Sequence, residues 1–176
     1  YAGPQEIAFS VVRYGNVFGS RGSVIPFFLK ERPKGVLPIT DERMTRFWIT
    51  LREGVDFVLA CLKRMKGGEV FVPKIPSMKI TDLAKALAPE CKLRFTGIRS
   101  GEKIHEVMVG RDDARTTFEF DDYFVIGWAG YNNSSQGRPC PLDFEYRSDN
   151  NDQELTIEQL QKYIEEFLVD HPEYAQ

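Results

Sequence analysis

The sequence predicts a mixed α/β fold with strand–helix alternation in its first half, and three observations carry that reading. Ile7 to Tyr14 is rich in β-branched and aromatic residues with little polar alternation at its centre, as expected of a strand covered on both faces. Thr50-Leu51-Arg52-Glu53 and Thr156-Ile157-Glu158-Gln159 are capping boxes, each placing a hydroxyl and a side-chain acceptor where a helix leaves N–H groups unpaired. Between these lie turn signals, Gly15-Asn16, Pro33-Lys34-Gly35 and Gly67-Gly68, that cut the chain into short elements.

The strand at Ile7 stops at Gly15-Asn16, and a Gly/Ser loop, Gly19-Ser20-Arg21-Gly22-Ser23, follows. Ser23 is expected to cap a helix starting at Val24, in whose first turn Pro26 is tolerated because its missing N–H has no intrahelical partner. Pro33-Lys34-Gly35 ends that helix, and Val36 to Ile39 and Thr45 to Ile49 read as short strands. The first capping box predicts a helix from Leu51 to about Met65 with Val55, Val58, Leu59 and Leu62 on one apolar face. Glu69 to Pro73 reads as a strand, Thr81 as the cap of a helix to Ala88, and Lys92 to Thr96 as a strand. Gly97 to Glu102 leads into a short helix expected near Lys103 to Val109; Arg115 to Phe120 and Tyr123 to Ile126 read as extended, and residues 127–141 as a surface loop. The second capping box opens a last helix with Ile157, Leu160, Ile164, Phe167 and Leu168 on its apolar face.

Composition narrows the function. The chain has 176 residues, 42% hydrophobic and 28% charged, enough for one ordinary domain or a large one with a small appendage. A formal net charge of -3 and a pI near 5.5 argue against a nucleic-acid partner. No apolar run approaches the roughly 20 residues of a membrane span, and no basic-then-apolar leader opens the sequence, so a cytoplasmic protein is expected. Cys61, Cys91 and Cys140 are widely spaced with no Cys-x-x-Cys pair, and with only two histidines the expectation is three reduced structural thiols and no metal site. Residue 1 is Tyr, not Met, so the chain is either processed or part of a longer protein, and the motifs favour the second.

Three constellations could carry chemistry. Arg13 to Gly19 lies at the carboxyl end of a strand, where open α/β sheets bind ligands; Asn16 offers a donor and an acceptor there, and Gly15 permits close approach. The competing reading is a plain turn with Asn16 left-handed. The helix start at Ser23 could attract an anion, but the loop lacks both common phosphate-binding glycine patterns. Arg43, Arg46 and Arg99 sit in loops or at element ends, with Glu102 three residues beyond Arg99; two such planar forks suit a diphosphate, and the alternative is ordinary surface pairing. His105, beside Glu106, reads as a packing or surface residue; Asp112-Asp113 and Asp121-Asp122 read as solvated turns. No Ser or Cys has a base to form a nucleophilic triad, so no catalytic residue is assigned.

The strings Val11 to Val17, Gly19 to Phe28, Ile39 to Trp48, Phe71 to Lys79 and Gly101 to Glu106, followed by Asp143 to Tyr146 and Asn150-Asn151, resemble one family in the same order. It is the inverting UDP-N-acetylglucosamine (UDP-GlcNAc) 4,6-dehydratases, extended short-chain dehydrogenase/reductases of polysaccharide biosynthesis, matched in their C-terminal half. The resemblance implies the end of a Rossmann-type parallel sheet (1–23), a smaller α/β substrate-binding domain (24–126), and a loop with a C-terminal helix (127–176). It also implies an NADP-dependent lyase reaction: oxidation at the sugar C4, loss of water across C5–C6, and return of hydride with inversion at C5. The product would be a UDP-4-keto-6-deoxy-L-arabino-hexosamine derivative, used in pseudaminic acid or related glycan synthesis.

By the same resemblance Asn16 contacts the sugar nucleotide and Gly15 lies at the nicotinamide end of NADP. Val24, Ile25, Pro26, Phe27 and Phe28 close on the nucleotide. Arg46 and Arg99 contact diphosphate and ribose, and Glu102 accepts from the ribose. The family's Gly-rich loop and Tyr-x-x-x-Lys pair match nothing here, since Tyr1 is followed by no suitably spaced lysine, so this segment alone is expected to be inactive. A homo-oligomer is expected. A UDP-sugar epimerase of the same fold and a non-catalytic UDP-sugar-binding module stand as alternatives, with a scaffold or oligomerisation piece a further one.

Overall fold

The computed structural model describes residues 7–128, 130–131 and 137–174. Its elements run β1 (Val11–Val12), β2 (Asn16–Val17), α1 (Val24–Glu31), β3 (Val36–Ile39), β4 (Thr45–Ile49) and α2 (Leu51–Arg64). After these come β5 (Val70–Pro73), β6 (Ser77–Lys79), α3 (Ile80–Leu87), β7 (Lys92–Phe95) and β8 (Val107–Val109). The chain ends with β9 (Thr117–Glu119), β10 (Tyr123–Ile126), β11 (Arg138–Pro139), β12 (Tyr146–Arg147) and α4 (Ile157–Asp170). This is the mixed α/β class read from the sequence.

The largest sheet has the order β1-β5-β10-β9-β11, with β1 parallel to β5 and the remaining pairs antiparallel. A three-stranded sheet, β2-β4-β6, pairs β2 in parallel with β4, setting Asn16 opposite Trp48. β4 meets β6 antiparallel, and β3 runs parallel to β7.

Side-chain alternation along β4 divides the interior, because successive residues of a strand point to opposite faces. Trp48 enters one core with Phe28 of α1, Leu83 of α3, and Leu160 and Phe167 of α4. Phe47 and Ile49 enter another with Val72, Val109, Phe124 and Tyr146. A third core holds Cys61 of α2 against Phe71, Tyr123 and Val125. Burial pushes the Cys61 and Cys140 thiols up to about 11, so both stay protonated at neutral pH. Both capping boxes close as expected, at Thr50–Glu53 and Thr156–Gln159, and Leu160, Ile164 and Phe167 of α4 are buried.

Several local expectations are corrected. The first strand keeps only Val11–Val12, and among the described residues it lies at the sheet edge with Ile7, Phe9 and Val11 exposed. Val55, Val58, Leu59 and Leu62 do share a face of α2, yet that face is exposed, while Gly54 and Cys61 turn inward. Ser23 is the N-cap of α1, but its hydroxyl makes no capping bond. α3 starts at Ile80 rather than after a Thr81 cap, because Lys79 still pairs with Thr45 in β6 and the Ile80 N–H donates to Met44 O. β6, β11 and β12 carry no sequence signal long enough to register.

The helix expected over Lys103 to Val109 is absent; Val107–Val109 is instead strand β8. The carbonyls of Lys103 and Ile104 accept from the Arg46 guanidinium, Ile104 O also accepts from Thr45 N–H, and Glu106 N–H donates to Ser148 Oγ. Tertiary partners thereby replace the i→i−4 ladder of a helix. Of the 127–141 loop, residues 129 and 132–136 lie outside the described residues, as does Tyr1.

Two substitutions test this packing. A Cβ at Gly15 would lie 2.5 Å from Phe47 Cβ and 2.7 Å from its carbonyl oxygen. Gly15→Ala is expected to destabilise the fold by about 1–3 kcal/mol, read as a lower urea midpoint at unchanged slope. Tyr146 Oη accepts from Ile75 N–H and donates to Ile75 O, both at 2.9 Å, and burial pushes its phenol up to about 12. Because Asn151 also donates to Ile75 O, Tyr146→Phe orphans chiefly the N–H, with an expected cost of about 1–3 kcal/mol in the same assay.

Candidate functional site

Because β4 alternates, Arg46 and Trp48 face away from Phe47, toward a cleft of about 830 Å³. One wall is α1, through Val24, Pro26, Phe27 and Phe28; the floor is Asn16 of β2 with Arg46 and Trp48 of β4. The rim is the loop after β7, through Arg99 and Glu102. Eight residues singled out in the sequence thus border one cavity. Ile25 does not: it is fully buried in the core beneath α1. Gly15 is not part of the lining, and the approach of Phe47 accounts for its missing side chain without a ligand.

Asn16 is extended and strand-paired; among the described residues no non-glycine has a positive φ, so the left-handed turn reading does not apply. With its amide oriented nitrogen-first, it donates to Glu106 Oε1 at 3.1 Å and Oε2 at 3.2 Å.

The arginines divide into three cases. Arg43 closes on Asp41 with a pair of bonds, Nε–Oδ1 2.9 Å and Nη2–Oδ2 2.8 Å, and these hold the Asp41 carboxyl down at about 2. It lies outside the cleft. Arg46 is mostly buried, donating through Nη1 to Thr45 O and Ile104 O and through Nη2 to Lys103 O, with Nε 3.7 Å from Glu106 Oε1. It remains a fixed cation in the cleft floor with most of its donors engaged. Arg99 is exposed, and its guanidinium makes no bond or ion pair among the described residues. Glu102 stabilises that turn: Oε2 accepts the Arg99 N–H at 3.2 Å and Oε1 the Thr40 hydroxyl at 3.2 Å.

Two residues of the lining bury polar atoms without a partner among the described residues, Ser23 Oγ and Trp48 Nε1. Such an atom costs roughly 1–3 kcal/mol. The cleft therefore joins an apolar wall, a fixed cation, a free cation and a carboxylate, a combination suited to a ligand with a flat or apolar part and an anionic linkage.

His105 lies on the opposite side of β4, in a second, polar cavity of about 660 Å³ that includes Thr45, Ser148 and Asp149. Its Nδ1 pairs with Thr45 Oγ1 at 2.8 Å, and Nε2 is 3.6 Å from Asp149. That suits a packing residue, and among the described residues no nucleophile–base pair forms in the main cleft. Sequence reasoning missed Trp48 and Glu106; the signal for Glu106 was only its place beside His105. Asp121 and Asp122 are exposed, as solvated turns are. Among the described residues no helix is long and apolar enough to cross a membrane.

Comparison with known proteins accords with this geometry. The profile of a family described as polysaccharide biosynthesis protein matches residues 1–127. The inverting UDP-N-acetylglucosamine 4,6-dehydratase of Campylobacter jejuni serotype O:2 is 52% identical over 163 residues, covering 85% of this chain and 49% of the relative. A UDP-glucose 4-epimerase of Rickettsia conorii is 41% identical over 132 residues, covering 72% of this chain and 39% of the relative. The X-ray structure of Pen from Bacillus thuringiensis superposes with a TM-score of 0.78 at 29% identity, covering 94% of this chain and 51% of that one. The chain spans about half the length of the curated dehydratase it matches. With a profile that covers well over half of its residues, a cleft on the same segment and a matching solved fold, the chain belongs to the polysaccharide biosynthesis protein family.

Proposed function

We propose that this chain is the substrate-binding portion of a nucleotide-sugar dehydratase acting on UDP-GlcNAc. The observation that carries the reading is the convergence, in one cleft, of Asn16, Arg46, Arg99 and Glu102 opposite the apolar wall of α1. In this reading Arg99 meets the diphosphate directly. Arg46 supplies positive potential from the floor, strengthened because it is shielded from water. Glu102 accepts from the ribose, and Phe27 and its neighbours cover the nucleotide. Asn16 addresses the sugar.

The dehydratase is preferred to the epimerase because the relative bearing that name shares 52% identity with this chain against 41%. In the whole protein the reaction would be oxidation at C4, elimination of water across C5–C6 and re-reduction with inversion at C5. The hydride chemistry belongs to a nicotinamide cofactor, NADP in our reading. At Gly15, the one residue assigned to that cofactor, the position a Cβ would take is filled by Phe47.

In this reading residues 1–23 are the end of a Rossmann-type sheet that shares strand pairing with the rest of the chain through β1–β5 and β2–β4, and Ile7, Phe9 and Val11 are exposed beside the open edge of β1. A Rossmann-type sheet continuing past that edge would cover them. We place the protein in the cytoplasm as a homo-oligomer, and the isolated chain as catalytically inactive.

The test uses the complete gene product that carries this sequence, because the relatives are about twice as long. Arg99→Ala is expected to weaken UDP-GlcNAc binding by about 1.5–3 kcal/mol without loss of fold, as measured by calorimetry. Arg46→Ala should lose comparable affinity and lower the melting temperature as well, since it removes a donor from the carbonyls of Thr45, Lys103 and Ile104, the last of which keeps the Thr45 N–H. A loss below about tenfold for both variants would overturn the arginine assignment. Mass spectrometry of the product separates the two chemistries: a dehydratase lowers the sugar-nucleotide mass by one water, whereas an epimerase leaves it unchanged.

A further inference from the structure

Glu106 sits immediately before β8 and beneath the cleft floor; it is absent from the lining, although two residues it touches, Asn16 and Arg46, are part of that lining. Its carboxylate faces the Asn16 amide at 3.1 and 3.2 Å, the Phe47 N–H at 3.4 Å and Arg46 Nε at 3.7 Å. We infer that Glu106 is a positioning residue for the sugar-nucleotide site, clamping Asn16 and Arg46 from two adjacent strands into a single fixed arrangement. The inference rests on the reading given under Proposed function.

Glu106 is itself anchored. Its N–H donates to Ser148 Oγ at 2.9 Å, its carbonyl accepts the Ser148 N–H at 2.9 Å, and Ser148 Oγ is 2.6 Å from the Thr45 hydroxyl. Thr45 and Ser148 are both buried. The carboxylate therefore stands on a rigid base tied to β4, the strand that also carries Arg46.

The clamp has a chemical consequence. An Asn amide has a nitrogen that donates and an oxygen that accepts. With one N–H of Asn16 shared between the two Glu106 oxygens, the amide oxygen is turned away from the carboxylate, so Asn16 offers an acceptor for a ligand hydroxyl alongside its second N–H. The pairing depends on ionisation, since only the carboxylate is a pure acceptor. The charged groups facing it are Arg46 of β4 and Lys103 of its own segment. Burial raises the Glu106 carboxyl above its ordinary range against the pull of these cations and of the Phe47 N–H. Protonation thus comes in milder acid than for an exposed Glu and weakens the hold on both residues.

The experiment is calorimetric titration of UDP-GlcNAc into the complete gene product from about pH 8 down to about pH 4. The diphosphate diester of this ligand does not titrate in that window. Wild-type affinity should fall on acidification. Glu106→Gln should bind at least about fivefold more weakly at neutral pH and lose most of the acid fall, while Arg99→Ala, weaker overall, should keep it. Glu106→Asp retains the charge with a shorter reach; should the Gln variant not fold, weaker binding with a preserved acid fall in the Asp variant supports the clamp. Combining Asn16→Ala with Glu106→Gln should give a loss smaller than the sum of the two. Affinity within about twofold of wild type in whichever of these Glu106 variants folds, an unchanged acid fall in Glu106→Gln, or additive losses would overturn the inference. A wild-type protein that does not bind UDP-GlcNAc removes the reading beneath it, a result distinct from normal binding that ignores Glu106.

Discussion

The alternation along β4 is the constraint on which the rest of this structure depends. Five residues, Thr45–Ile49, separate two cores, with Trp48 on one side and Phe47 and Ile49 on the other. The same period of two sets Arg46 toward the cleft and Thr45 toward Ser148 and His105. A one-residue slip in the pairing with β2 or β6 would exchange these faces, putting a guanidinium into a hydrophobic core and phenylalanine into the cleft. Gly15 shares this constraint, because only a residue without Cβ lets the chain entering β2 approach Phe47 so closely.

Electrostatic order in the cleft follows from which cations are already engaged. Arg43 is neutralised by Asp41, Arg46 is held among carbonyls, and the Arg99 guanidinium, in a glycine-flanked turn, has no partner among the described residues. Three arginines of equal formal charge thus differ in role through their partners alone. A buried guanidinium surrounded by carbonyl oxygens costs little further reorganisation when an anion arrives, whereas a free one must be ordered on binding.

Much of the fold was legible where local chemistry decides it. Both capping boxes, the turn at Pro33-Lys34-Gly35 and the β-branched and aromatic residues of β4 are local signals, and each produced its element. The reading failed where distant partners decide. Residues 103–106 have helical propensity, but β4 and Ser148 take their backbone groups, and β6, β11 and β12 are too short to show a period. The stripe on α2 was read correctly as a face, and that face is exposed among the described residues, since period fixes which residues align and not what covers them. At the site, the family resemblance led to residues that border one cleft. Glu106 was invisible because its importance lies in what it touches across the fold, 90 residues from Asn16 in sequence.

The exposed flank of β1 and α2 also governs how this chain behaves as a material. Among the described residues it presents an unpaired strand edge and exposed leucine, valine and phenylalanine side chains, and the net charge of -3 offers little repulsion between copies. An open edge next to apolar side chains is the kind of surface through which copies of a chain associate. Charged replacements at Leu59 and Leu62, remote from the cleft, are the natural route to a form that stays dispersed.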